Sequence, residues 1–346
     1  MHFSSAGEAV LSNARALLAV DSPSGYTDDV VAVAEAMAQS AGFETRRPNR
    51  GGLIVRIPGR EAGGPVALCS HIDTLGLMVR SITDKGELKF TKVGGPIVPT
   101  LDGEYCTVVT REGKRYSGTI LSLSPAVHVF PDSETRTRDE ENMAVRLDEV
   151  VHSREDVAQL GIAPGDFICI DTKTTVTESG FLKSRFIDDK GGSACLLTLL
   201  QLMKEQNLRP RYDTLFLLTV YEEVGSGGAI LPDEVQELLA VDMGCVGLDM
   251  NCTEQQVSIC AKDSAGPYDY GMVTRLVHLA KEHGVDYAVD IYPRYTSDAT
   301  VAWRAGKDVR AALIGPGVSA SHGMERTHRD GLVNTLKLCA LYLDCQ

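Results

Sequence analysis

The stretch TLFLLTVYEEVG, residues 214–225, decides how this chain is read. Seven apolar or β-prone residues, Thr214–Val220, run without a polar break, as a strand buried on both faces of a sheet does. Two glutamates follow after Tyr221. Strands are depleted in Glu, so Glu222 and Glu223 at the surfacing end of a buried strand are not plain solvated charge. Adjacent residues on an extended chain point to opposite sides. Glu223 can therefore bind a metal while Glu222 reaches a water.

Working outward, similar apolar runs occur at Leu53–Ile57, Pro65–Ser70, Cys245–Met250 and Val309–Ile314. Helical patterns lie between them, notably at Gly192–Gln206 and Tyr270–His283. Another, Thr27–Ala41, has a capping Thr-Asp start and Gly42 as its stop. This alternation predicts an α/β fold: a mixed, mostly parallel sheet sandwiched by helices. The middle reads differently, as short strands punctuated by Asp84-Lys85-Gly86, Arg111-Glu112-Gly113 and Glu178-Ser179-Gly180. We expect residues 1–76 and 184–346 to form one discontinuous domain and residues 77–183 an inserted all-β module. The acidic stretch PDSETRTRDEEN (131–142) is expected as a mobile loop within that module.

At 346 residues the chain is long enough for a large domain and a smaller one. Its formal net charge of −13 argues against nucleic acid, which needs a basic face. No apolar run suits a membrane span, and the N-terminus reads as an amphipathic helix instead of a leader, so a cytoplasmic location is expected. The nine cysteines are odd in number and form no CxxC pair. Most sit in apolar runs and read as reduced core residues.

Further candidate ligands recur at strand ends, where open α/β sheets form their sites. In CSHID (69–73), His71 can present one ring nitrogen to a metal while Asp73 fixes the tautomer through the other. In FIDDKGG (186–192), a carboxylate with two oxygens can bridge two cations, the role assigned to Asp188. Asp189 has a simpler alternative, capping the helix that follows. VGLDM (246–250) adds Asp249, and SASHGMERTH (319–328) adds His322 and His328. Each alone would more often be a surface or capping residue. Together they make a mixed N/O donor set suited to Zn²⁺ and compatible with Co²⁺ or Mn²⁺. There is no GxSxG elbow for a serine nucleophile, and neither GSGG (225–228) nor GPG (315–317) matches a phosphate-binding loop.

The ordered set HID, IDDKGG, YEEVGSGGA, LDM and SHGMER resembles the glutamyl and deblocking aminopeptidases, including the tetrahedral aminopeptidases, family forty-two of the metallopeptidases. The resemblance runs from SPSGYTDDV (22–30) through TSDATVAWRAG (296–306) to the end of the chain. It implies a zinc-exopeptidase type of fold whose β insertion is a PDZ-like or barrel-like dimerisation domain. It implies two divalent ions, one held by His71 and Asp249 and the other by Glu223 and His322. Asp188 would bridge them beside a cis Asp188–Asp189 peptide. Asp73 would orient His71, and Glu222 would be the general base. Asp298 resembles a position near the pocket for the substrate amino terminus. Homodimers or homododecamers are implied as well.

Two departures stand out. The family usually has Glu and Ile where this chain has Thr74 and Leu75. Its Glu usually falls four residues after the last ligand histidine, whereas Glu325 is three after His322, leaving His328 as a rival ligand. The SHGMERTH form is similar to a subgroup found beside genes for an acetylated glutamine dipeptide osmoprotectant. The expected function is metal-dependent removal of N-terminal residues from short peptides. One alternative is an amidohydrolase or deacylase for N-acylated amino acids or a modified dipeptide. Another, a non-catalytic scaffold, is disfavoured because the base and all the candidate ligands are present.

Overall fold

The computed structural model describes residues 1–346, which divide into two compact units, Met1–Asp73 with Lys173–Gln346, and Thr74–Thr172. The first unit opens with α1 (Ala6–Leu18), α2 (Asp28–Ser40), β1 (Thr45–Arg46), β2 (Leu53–Ile57) and β3 (Val66–His71). The second unit follows, with β4 (Gly76–Ile82), β5 (Leu88–Val93), β6 (Tyr105–Val109), β7 (Arg115–Ser122), β8 (Met143–Leu147), α3 (Arg154–Gln159) and β9 (Phe167–Ile170). The chain then returns to the first unit through β10 (Thr175–Val176), β11 (Phe181–Ser184), α4 (Ile187–Glu205), β12 (Thr214–Thr219), β13 (Glu237–Val241), β14 (Gly244–Val246) and β15 (Val257–Asp263). It finishes with β16 (Gly266–Pro267), α5 (Tyr270–Glu282), β17 (Tyr287–Ile291), α6 (Asp298–Arg304), β18 (Arg310–Ser319), β19 (Glu325–His328) and α7 (Arg329–Tyr342).

The large sheet has the order β1-β2-β12-β3-β13-β18-β19-β11-β10, with β14 and β15 also on β18 and β17 on β15. Its centre, β12-β3-β13-β18, is parallel throughout. The flanking pairs β2-β12 and β15-β18 are antiparallel, so the sheet is mixed, as expected. Successive side chains of a strand face opposite sides, and here both sides are buried. Ala67 and Cys69, Leu215 and Leu217, Leu238 and Ala240, and Ala311 and Leu313 share one core cluster with Ala299 and Ala302 of α6. Their alternates Leu68, Phe216, Leu239 and Ala312 are buried as well; α4 packs on β3, and α1 and α7 pack against α4. Continuous apolar strands are the direct consequence.

One central strand is absent from the runs that the sequence marks as strands. β13 (ELLAV) is built largely of good helix formers, yet every residue in it is buried. Parallel pairing to β3 on one side and β18 on the other overrides the local preference. The run 245–250, expected as the strand, contributes only Cys245 and Val246 to β14, and residues 247–249 are exposed.

The second unit is a closed six-stranded barrel, β4-β5-β8-β7-β6-β9. Leu77, Val79, Leu88, Phe90, Val108, Ile120, Val145 and Ile168 are all nearly fully buried in it. β10 and β11, which the sequence grouped with this module, join the large sheet instead, β11 pairing with β19 and β10 with β11. The acidic stretch 131–142 carries its own anchors. Arg138 pairs with Asp102 at 3.0 Å, Arg136 donates to Ser124 Oγ at 2.7 Å, and Asp139 caps the amide of Asn142 at 2.8 Å.

Leu239 lies at the middle of β13 with no exposed surface. Leu239→Ala is expected to cost about 2–5 kcal/mol of stability, read from urea unfolding of the purified protein. A loss under about 1 kcal/mol would mean that β13 is not the packed centre of the sheet.

Candidate metal centre

Parallel strands deliver their carboxyl ends to one edge, and the candidate ligands collect there. His71 is the last residue of β3 and is 1 % exposed. Asp242 is the first residue beyond β13 and is 4 % exposed. Glu222 and Glu223 follow β12, in a turn closed by Gly225 N donating to Glu222 O at 2.7 Å, and not on an extended strand. Asp188 and Asp189 open α4, joined by a cis peptide, and their backbone is not helical. His322 follows β18 and adopts a left-handed φ of 63°.

Asp188 sits at the middle. Its Oδ1 lies 3.1 Å from His71 Nε2 and its Oδ2 lies 3.7 Å from His322 Nε2. Glu223 Oε2 is 4.0 Å from the same His322 nitrogen. Glu222 Oε2 is 3.8 Å from His71 Nε2. Donor atoms of His71, Asp188 and Glu223 fall within 4.8 Å of one another, as do those of His71, Asp189 and Asp242.

The surroundings of these groups are held by amide donors. Asp73 accepts from the backbone N–H groups of Glu222 (3.3 Å) and Glu223 (3.4 Å) and from Ser24 Oγ. Its Oδ1 is 3.4 Å from His71 Nδ1, and its carbonyl oxygen is 3.1 Å from that nitrogen. Asp73 thus orients the imidazole and clamps the Glu222–Glu223 turn at once. Asp189 accepts from Gly192 N at 3.0 Å, His71 N at 3.2 Å and Ser70 Oγ. With its oxygens so engaged, it is an anchor for the start of α4, whereas Asp188 is the carboxylate aimed at both histidines.

The cluster is short of positive charge. Burial and the nearby Asp188 push Asp242 up to about 8. Burial also lifts Glu223 well above the usual carboxylate range, with Asp188 adding to it. For Glu222, burial and the charges of Asp242, Asp298 and Glu223 prevail over the opposing pull of His71. Glu223 Oε1 is buried without a hydrogen-bond partner. Crowded buried carboxylates, two imidazoles and an orphaned carboxylate oxygen are the environment that divalent cations neutralise. The residues present therefore fit metal ions.

Residues 51–338 match the pattern of the family described as M42 glutamyl aminopeptidase. The chain belongs to the M42 glutamyl aminopeptidase family. It is an enzyme of the aminopeptidase class, a hydrolase of peptides, and the family's metallopeptidase chemistry calls for divalent metal ions. A putative aminopeptidase of Bacillus subtilis, YhfE, is 44% identical over 328 residues, covering 94% of this chain and 95% of that protein. Among solved structures, the aminopeptidase APDkam598 of Desulfurococcus kamchatkensis superposes with a TM-score of 0.87 at 21% identity, covering 97% of this chain and 95% of that one. The TET1 peptidase of Pyrococcus horikoshii, described as able to assemble into a tetrahedron or a large octahedral shell, gives 0.85 at 20% identity, covering 96% and 99%.

Not every M42 residue expected from the sequence reaches the cluster. Asp249 lies exposed on the loop after β14 with φ 62°, and Asp242 stands where it was expected. The strand-end rule points to Asp242 in LLAVDM once β13 is recognised as a strand. His328 is elsewhere too: its Nε2 contacts Ser179 O at 2.8 Å, and its Nδ1 accepts from Asp330 N at 3.1 Å to cap α7. Asp298 accepts from Gly228 N at 2.6 Å and from Thr219 Oγ1, tying the segment 227–230 to the end of β12.

Glu325, noted in the sequence only for its spacing, is 1 % exposed. It accepts from His322 N at 2.9 Å and Asp188 N at 3.0 Å, joining two ligand-bearing backbones. Glu325→Gln turns an acceptor into a donor against one of these amides. It is expected to weaken metal retention about 10–100-fold, measured by competition with a chromogenic chelator. Unchanged retention would rule out that bracing role.

Each carboxylate whose folded pKa exceeds its unfolded value binds protons more tightly when folded, so stability falls as pH rises between the two values. For Asp242 that window runs from 3.8 to about 8. Chelator-stripped protein is expected to melt at a lower temperature at about pH 8 than at about pH 6, with saturating Zn²⁺ restoring the loss. A stripped-protein Tm that rises over that interval would contradict the charge crowding.

Proposed function

We propose that this chain removes N-terminal residues from short peptides at a two-metal centre. The observation that carries this reading is Asp188, whose two oxygens face His71 and His322 from a single carboxylate. In this reading His71 and Asp242 would hold one ion and Glu223 and His322 the other, with Asp188 shared between the two. Zn²⁺ is the first choice for this mixed N/O set, with Co²⁺ or Mn²⁺ as substitutes. Two such ions would supply Lewis-acid polarisation of the scissile carbonyl and acidify water.

The chain's own residues do the rest. Glu222 stands beside His71 without being required as a ligand, and its side chain is 11% exposed. It takes the proton from the attacking water as the new C–O bond forms. It returns that proton to the amide nitrogen as the C–N bond breaks and the amine leaves. Asp73 keeps Glu222 in place through the Glu222 amide and keeps His71 in one tautomer. The deacylase alternative is not favoured, because the family and the relatives carry aminopeptidase descriptions.

Assembly and location extend the proposal. The assemblies described for the Pyrococcus horikoshii relative support a homo-oligomer; we propose a dimer or a dodecamer, with the barrel as the dimerisation element. No helix is long and apolar enough to cross a membrane, and all nine cysteines are free thiols, consistent with a cytoplasmic setting.

Protein stripped by chelator and reloaded with Zn²⁺, Co²⁺ or Mn²⁺ is expected to regain cleavage of aminoacyl amides and not of their N-acetyl counterparts. Restored hydrolysis of acetylated substrates alone would overturn the free-amine assignment. Glu222→Gln is expected to lower kcat by a factor of about 10²–10⁴ at unchanged metal content. Asp242→Asn is expected to cost one bound metal per chain by elemental analysis, whereas Asp249→Asn keeps both. The reverse pattern would return the ligand role to Asp249.

A further inference from the structure

The four parallel strands that end at the candidate metal centre begin at the opposite edge of the sheet, and a cavity opens there. Val66, Thr214, Glu237 and Arg310, the first residues of β3, β12, β13 and β18, line a space of about 990 Å³. That is room for a small organic molecule. Its lining is cationic in a chain whose formal net charge is −13. Arg211, Arg275, Arg310 and Lys337 face two carboxylates, Glu237 and Asp344, with His283 beside them.

Two of these cations are anchored by one carboxylate. Glu237, with a side chain only 11% exposed, pairs with Arg310 at 2.9 Å and with Arg275, and it accepts from the Tyr342 hydroxyl at 2.7 Å. The Arg275 guanidinium also lies over the Tyr342 ring, 4.6 Å from its centroid. Yet the Arg275 and Arg310 side chains remain 45% and 60% exposed. Each pairs with Glu237 through one terminal nitrogen, and both residues line the cavity. Asp344 is engaged by Arg60 and Arg211 by Glu61, which leaves Lys337 outside these pairs. Leu279, Val285 and Leu341 supply an apolar wall.

We infer that this cavity binds a small organic anion, a phosphate or carboxylate carried on an apolar body, gripped by Arg275, Arg310 and Lys337. Guanidinium forks match the paired oxygens of either headgroup, and the anchoring by Glu237 and Tyr342 lowers the ordering cost on binding. A strand of six residues spans about 20 Å, so such a ligand and a peptide at the metal edge do not compete.

The test is calorimetric titration of metal-loaded full-length protein with phenyl phosphate, phenylacetate and inorganic phosphate. The expected result is saturable binding of one phenyl probe per chain, with a dissociation constant on the order of 1 mM or tighter. Lys337→Glu leaves the Glu237 ion pairs intact. It is expected to weaken that binding at least about 10-fold while Tm and peptide hydrolysis stay at wild-type values. Preference for phenyl phosphate assigns a phosphate headgroup, and preference for phenylacetate a carboxylate. Inorganic phosphate binding as tightly as phenyl phosphate would overturn the amphipathic class. No saturable binding, or binding unaltered in both Lys337→Glu and Arg310→Gln, would overturn the site. The readout is binding, so it is independent of whether the metal edge hydrolyses peptides.

Discussion

Too many carboxylates are buried too close together at the carboxyl edge of the central strands, and the rest of the structure is arranged around that constraint. Asp188, Glu222, Glu223 and Asp242 share one small region with two imidazoles. Ionising a buried carboxyl costs several kcal/mol unless something offsets it. Protonation is one response, and burial favours it by raising Asp242, Glu222 and Glu223 above the usual carboxylate range. Divalent cations are the other, and the one that makes such a cluster chemically useful.

Around the cluster the protein relies on backbone amides. Asp73 takes the amides of Glu222 and Glu223, Asp189 takes those of His71 and Gly192, and Glu325 takes those of Asp188 and His322. An amide neutralises part of a carboxylate's charge without adding a flexible side chain, and it fixes the backbone that bears the neighbouring ligand. Three carboxylates outside the proposed ligand set therefore fix the backbone that bears the proposed ligands. The same strands have a different character at their other ends, where Glu237 gathers arginines instead of acids.

Much of the site was legible in the one-dimensional pattern because parallel strands obey a simple geometric rule. An apolar run followed at once by His or Glu places that residue at the carboxyl edge, and His71 and Glu222–Glu223 follow it. The rule failed where the strand itself was disguised. ELLAV is rich in helix formers, so neither β13 nor its terminal Asp242 stands out in the sequence, while the more strand-like CVGLDM points to Asp249. His322 and His328 were not separable by spacing, since either could follow β18. Only the left-handed turn at His322 and the capping of α7 by His328 distinguish them.

The sequence by itself determined the fold class, the inserted β module, and the chemical types at the site: imidazole and carboxylate at strand ends. These follow from local periodicity and residue chemistry, which act within a few positions along the chain. The tertiary structure decided which carboxylates converge, where the inserted module stops, and which residues brace the ligands. Those outcomes depend on pairing between segments more than a hundred residues apart, such as β3 with β12 and Glu325 with Asp188. No local preference encodes such pairings. They are selected by the burial of both sheet faces and by the need of every buried carboxylate for donors.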